Sequence, residues 1–154
     1  MEPASPARLY AALVGALLVV IGIVGFFYSA SFGGPGDVEQ ALGFMRVNAW
    51  ENVLHILLGS LGLLMAGYAA RAYSLCAGAL FGVLAIWGFA IGSGDAILGF
   101  LPASGGDDTL HLVLGLLGVA AAAGTPRRSR GSGRAPDDRE EPRNRSEARA
   151  QAAG

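Results

Sequence analysis

The stretch ENVLHILLG, residues 51–59, sets His55 inside an apolar run that continues to Ala70, and DDTLHLVLG, residues 107–115, says nearly the same thing at an offset of 56. Both put two polar residues ahead of an apolar helix and a histidine shortly inside it, where hydrocarbon is the expected surrounding. Working outward from these runs, four apolar segments appear: Leu9 to Tyr28, Val53 to Ala70, Tyr73 to Gly92 and Leu110 to Gly124. About 20 helical residues, rising about 1.5 Å each, cross a hydrocarbon core about 30 Å thick. The first three are long enough by themselves. The fourth is short, and its kinship to the second argues that it spans too. Composition agrees, with a mean hydropathy of +0.47, 53% hydrophobic residues and only 15% charged ones, which cluster in the last thirty positions.

The likeness between the halves extends further. ARLYAALVGALLVVIGIVGF from Ala7 aligns without a gap to ARAYSLCAGALFGVLAIWGF from Ala70, pairing Arg8 with Arg71, Tyr10 with Tyr73, Gly15 with Gly78 and Gly25 with Gly88. ALGFMRVNAWENVLHILLGSLG from Ala41 aligns to ILGFLPASGGDDTLHLVLGLLG from Ile97, and the change of offset falls around FGGPGDVEQ in the first outer loop. The expected fold is an all-α transmembrane four-helix bundle made of two tandem parallel helix-loop-helix repeats, residues 7–69 and 70–124. An even number of spans per copy leaves both copies pointing the same way. Residues 1–124 form the membrane domain and 125–154 a charged tail.

Arginine sets the orientation, since the chain has no lysine. Arg8, Arg71 and the group Arg127, Arg128 and Arg130 flank one side, whereas the first and third connections carry Asp37, Glu39, Glu51, Asp95, Asp107 and Asp108 against Arg46. The expectation is a multi-pass protein of the cell membrane with both termini cytoplasmic and both histidines near the outer face. Tyr10, Tyr68 and Tyr73 mark one interface; Tyr28, Trp50 and Trp87 fall near the other. The first apolar segment is too long for a typical signal-peptide core and has a copy at residues 70–89, so it is expected to be a retained span.

Glycines recur at helical spacing. Gly78 with Gly82 and Gly88 with Gly92 form GxxxG pairs, and Gly59, Gly62, Gly115 and Gly118 lie on the histidine-bearing helices. Small residues let helix backbones approach closely, either within one bundle or between copies in a homo-oligomer.

The ARLY-like opening, the glycine-spaced first span, the motif GF-x-x-VN-x-x-EN-x-LH-x-x-LG and a second GF-x-P…D-x-x-LH-x-x-LG together resemble the bacterial membrane family catalogued as domain of unknown function 4383. The likeness covers about residues 7 to 124. It implies a small multi-span membrane protein and no particular reaction. The family pattern has asparagine in its second half where this chain has Ser104 and Asp108; the first half keeps Asn48 and Asn52.

Three roles fit the histidines; the expectation is the first, a structural or interaction role in the membrane without a cofactor, with the other two as alternatives. Asn52 with His55, and Asp108 with His111, are spaced i, i+3 and share a helix face, with Asn52 and Asp108 as helix N-caps and the histidines one turn inside. Glu51 and Asp107 add negative charge where the helix dipole favours it. In a structural role, each imidazole hydrogen-bonds across the bundle, with Gly59 and Gly115 making room. In a ligand role, His55 and His111 with Glu51, Asp107 or Asp108 hold zinc or copper, or the two imidazoles ligate a haem. In a third role they gate or relay protons or a small solute, although Ser60, Ser74 and Cys76 are the main polar groups left in the spans and form no chain across them. No CxxC, HxxxH or HExxH motif is present.

An enzyme is not expected. Ser60 and Cys76 have no base at helical spacing, no phosphate loop occurs, and a single cysteine cannot form an internal disulfide. The tail holds eight arginines and five acidic residues and no apolar residue larger than alanine, so it is expected to be disordered, with its first arginines anchoring the topology at the lipid head groups. Its DDREE interruption and lack of aromatics argue against nucleic-acid binding. The expected partners are the lipid bilayer, a second copy or other membrane proteins.

Overall fold

The computed structural model describes residues 4–33, 39–41 and 45–127. Its elements run α1 (Pro6–Gly25), β1 (Glu39–Ala41), β2 (Met45–Val47), α2 (Ala49–Met65), α3 (Ala70–Ile91), β3 (Ala96–Ile97), β4 (Leu101–Pro102) and α4 (Gly105–Ala123). The protein is mostly helical. The helix α1 pairs most extensively with α2, and α3 with α4. The expected disorder of the tail concerns residues that, from 128 onward, lie outside the described ones, as do Asp37 and the Leu42-Gly43-Phe44 motif.

Three helices, α1, α3 and α4, are long and apolar enough to cross a membrane. The lengths reverse the sequence-based expectation for the second and fourth segments. At 17 residues α2 rises about 25 Å and stops at Met65, where residues 66–69 turn into α3, while α4 reaches 19 residues by starting at Gly105, upstream of its apolar run. Leu13, Leu64, Ile86 and Leu116 point outward from the four helices and are more than half exposed. A soluble protein seldom leaves so much apolar surface uncovered, and these faces suit contact with lipid.

Three of the four helices start where a side chain satisfies a first-turn amide, and α3 begins after Ala69 with no such cap. Ser5 caps α1, with Pro6 following it, Asn48 caps α2 and Ser104 caps α4. The expected caps, Asn52 and Asp108, sit one turn inside the helices instead. The connections are not plain loops either. Two small antiparallel ribbons interrupt the all-α plan, β1 with β2 (Gln40 opposite Arg46) and β3 with β4 (Ala96 opposite Pro102), and each leads into the capped start of a helix. The second ribbon turns through Leu98 at φ 54° and Gly99 at φ 78°; the left-handed region suits the glycine and strains the leucine.

The core is a column of Tyr10, Leu18, Tyr73, Ala77, Phe81 and Leu114 between the helices. Its polar tips are all paired: Tyr10 donates to the Leu114 carbonyl at 2.9 Å, Tyr73 to Leu58 at 3.1 Å and Ser74 to Ala7 at 3.1 Å. At the same end, Thr125 accepts from the Ala7 amide and its carbonyl accepts from Arg71 Nε, closing the start of α1 and of α3 onto the end of α4.

Helix pairs approach at glycine. A Cβ on Gly15 would strike the Gly59 carbonyl at 2.8 Å, and one on Gly59 the Gly15 carbonyl at 2.6 Å. Gly78 meets Gly115 and Val119 backbone in the same manner, Gly118 meets the Ser74 carbonyl, and Gly62 lies under the Tyr73 ring. Gly82 supplies bare backbone for Gly115 to rest on, though its own missing side chain faces open space. A Cβ on Gly92 would meet nothing. The residue ends α3 at φ 84°, a helix stop rather than a second half of a GxxxG contact.

Candidate functional site

Polar side chains gather where the capped ends of α2 and α4 meet the two ribbons. Asn48 accepts from the Glu51 amide at 2.9 Å and donates to the Phe100 carbonyl at 2.5 Å, so one side chain starts α2 and ties it to the second ribbon. Ser104 accepts from the Asp107 amide, and its hydroxyl donates to Asp107 Oδ2 at 2.5 Å. The same carboxylate oxygen accepts from the Arg46 amide at 3.0 Å, which fastens the first ribbon to α4. With Asn48 and Ser104 as caps, Glu51 and Asp107 occupy the third helical position, and both histidines lie seven residues past the cap. They are two turns inside, not one.

Asn52 and Asp108 share a different task. Asn52 packs on Gly25 of α1 and donates to the Ser29 carbonyl at 3.0 Å, and Asp108 packs on Gly88 of α3. Both fill the hollow left by a glycine in the partner helix.

The structure brings together Glu51, His55 and His111. One donor atom from each lies within 4.8 Å of the others. The imidazole rings of His55 and His111 are 6.5 Å apart at 59°, and Phe81 stacks on His111 at 5.4 Å and 19°. Glu51 is 5% and His55 6% exposed, while His111 is partly buried. Asp107 and Asp108 bear electrostatically on Glu51, and Arg46 on Asp107.

Five buried polar atoms around this point have no hydrogen-bond partner among the described residues: Glu51 Oε2, Asn52 Oδ1, His55 Nδ1, Asp107 Oδ1 and His111 Nδ1. A buried polar atom left unpaired costs about 1–3 kcal/mol, so such atoms are scarce in folded proteins and call for a partner such as an ordered water or an ion. Below the triad opens a cavity of about 500 Å³ between α2, α3 and the second ribbon. Among the described residues, the only polar ones that line it are Glu51, His55 and His111.

Sequence reasoning placed the histidines and three acidic candidates but had no means of choosing Glu51 among them. It also missed Phe81 and Arg46. An aromatic residue within an apolar run gives no signal of its own, and Arg46 reaches Asp107 through its backbone amide as well as its charge, a pairing with no local signature.

The model of one protein family matches residues 8–124, and its description is domain of unknown function, DUF4383. The chain belongs to the DUF4383 family. The match takes in α2, α3, α4, both ribbons and all but the first two residues of α1 in this DUF4383 protein. No curated protein and no solved structure matches it.

Proposed function

We propose that this DUF4383 protein is a non-enzymatic, multi-pass protein of the cell membrane whose Glu51, His55 and His111 bind a divalent transition-metal ion of the zinc or copper kind. In this reading the chain is two tandem copies of one helix-ribbon-helix unit, both termini face the cytoplasm, and the metal lies toward the outer face. The observation that carries the reading is the convergence of two imidazoles and a carboxylate whose buried atoms have no other partner.

The donor set is of the right chemistry, since nitrogen and carboxylate oxygen are ordinary zinc ligands. Bonds of about 2.0–2.1 Å at tetrahedral angles put neighbouring donors about 3.3 Å apart, so side chains now within 4.8 Å close by roughly an ångström and a half on loading. Rotation about side-chain torsions supplies such a shift without moving the helices. Haem fits less well. Glu51 stands beside both imidazoles, where a porphyrin held between two axial histidines needs clear space.

Elemental mass spectrometry on detergent-purified protein tests this, with wild type beside His55→Ala and Glu51→Gln. Near-stoichiometric zinc or copper in the wild type, falling to background in both variants, is the expected outcome. The stacking of Phe81 on His111 favours a second role, plain helix packing. That role is the answer if no sample holds metal and His55→Ala only lowers the melting temperature.

A further inference from the structure

Glu51, His55 and His111 are three protein donors, and a zinc-type ion with three protein ligands keeps a fourth position for an exogenous group. The same three side chains form the polar end of the cavity of about 500 Å³, whose remaining lining is apolar among the described residues. Pockets of this size hold small molecules. Leu57, Leu61 and Leu80 of its wall are also exposed on the outside of the helices, so the cavity is entered sideways, from the apolar surroundings of the bundle.

The unpaired acceptor of the triad selects the head group. Glu51 Oε2 is buried with no hydrogen-bond partner among the described residues. With the other Glu51 oxygen on the metal, this one is left to accept a hydrogen bond. A carboxylate head brings only further acceptors, and an ammonium head has no lone pair for the metal. A hydroxyl can place a lone pair on the metal while its hydrogen points to the Glu51 oxygen.

We infer that the cavity binds a long-chain alcohol drawn from the membrane, its hydroxyl oxygen on the metal held by Glu51, His55 and His111 and its apolar chain along α2 and α3. This rests on the metal reading and adds the class of molecule to it.

The test uses full-length protein, zinc-loaded, in phosphatidylcholine nanodiscs, with a long-chain alcohol carrying a photoreactive diazirine on its chain. Two further probes have the same chain, one ending in a carboxylate and one with no head group. The alcohol should label residues lining the cavity on α2 and α3, saturably, and at least about tenfold more than either control, equivalent to about 1.4 kcal/mol of preference for the head. Chelating the zinc should remove the preference. Leu84→Trp, which fills the cavity without touching a ligand, should keep the metal and lose the label.

The alcohol proposal is overturned by equal labelling from all three probes, by stronger labelling from the carboxylate, or by label spread over the outward leucines. Labelling that is specific to the alcohol but indifferent to chelation overturns it as well. Protein that takes up no zinc overturns the metal reading and the alcohol proposal together, whereas zinc uptake with unselective labelling overturns the alcohol proposal alone.

Discussion

Gly25 and Gly88 show how much one missing Cβ decides. A side chain on Gly25 would land on the Asn52 carboxamide, and one on Gly88 on the Asp108 carboxylate. Neither polar group can withdraw without leaving its buried place, so Gly25→Ala and Gly88→Ala should each lower stability by about 1–3 kcal/mol, the usual cost of overpacking. Gly82→Ala meets nothing and removes a flexible residue from a helix interior; it should be neutral or stabilising by up to about 1 kcal/mol. Thermal unfolding in detergent distinguishes the two outcomes. Leu98 is the converse case, a side chain where the backbone suits none. Leu98→Gly should relieve about 1–2 kcal/mol of left-handed strain, offset by the wall of cavity it removes. At this scale the sequence revealed which residues are polar in an apolar setting. It could not reveal which carboxylate joins the histidines, because Glu51, Asp107 and Asp108 differ in their neighbours from other helices, and such neighbours have no local signature.

For the helices, the starting points matter most. Asn48→Ala removes the α2 cap and the bond to the Phe100 carbonyl together, and should cost about 0.5–2 kcal/mol for the cap alone. Ser104→Ala removes the α4 cap and also the hydroxyl held by Asp107. On the metal reading, both variants should weaken zinc retention during dialysis, Asn48→Ala by loosening the turn that carries Glu51 and Ser104→Ala by loosening the start of the helix that carries His111. Asn48→Asp should restore the cap and most of the retention. Two capable capping residues stand one turn apart in each half, Asn48 and Asn52, then Ser104 and Asp108. Hydropathy favoured the inner pair, which adjoins the apolar run. The outer pair won because the ribbons deliver the chain there in an extended conformation, as the φ of −138° at Asn48 and −147° at Ser104 record. The ribbons themselves are two or three residues per strand, too short for alternation to be visible.

Across the whole molecule, the apolar helices were the most legible feature, because hydrocarbon imposes a length and a composition that few other environments do. Orientation rests on arginine alone and is open to a direct test. In a Cys76→Ala background, Asp95→Cys, exposed in the α3–α4 connection, should react with an impermeant maleimide added outside intact cells, and Arg127→Cys should react only after permeabilisation. The opposite pattern would place the Glu51, His55 and His111 cluster on the cytoplasmic side.

The glycine seams have a mechanical consequence. Within each helix pair, backbone rests on backbone at Gly15 and Gly59 and at Gly78 and Gly115, contacts as short and unyielding as a protein offers. Between the pairs, side chains intervene, and side chains are compliant. Glu51 and His55 belong to one block and His111 to the other, so an ion held by all three would rivet the two blocks across their softest joint. The spacing of the halves and the occupancy of the site would then be a single variable: lateral pressure that squeezes the blocks together would tighten the grip, and pressure that parts them would release it.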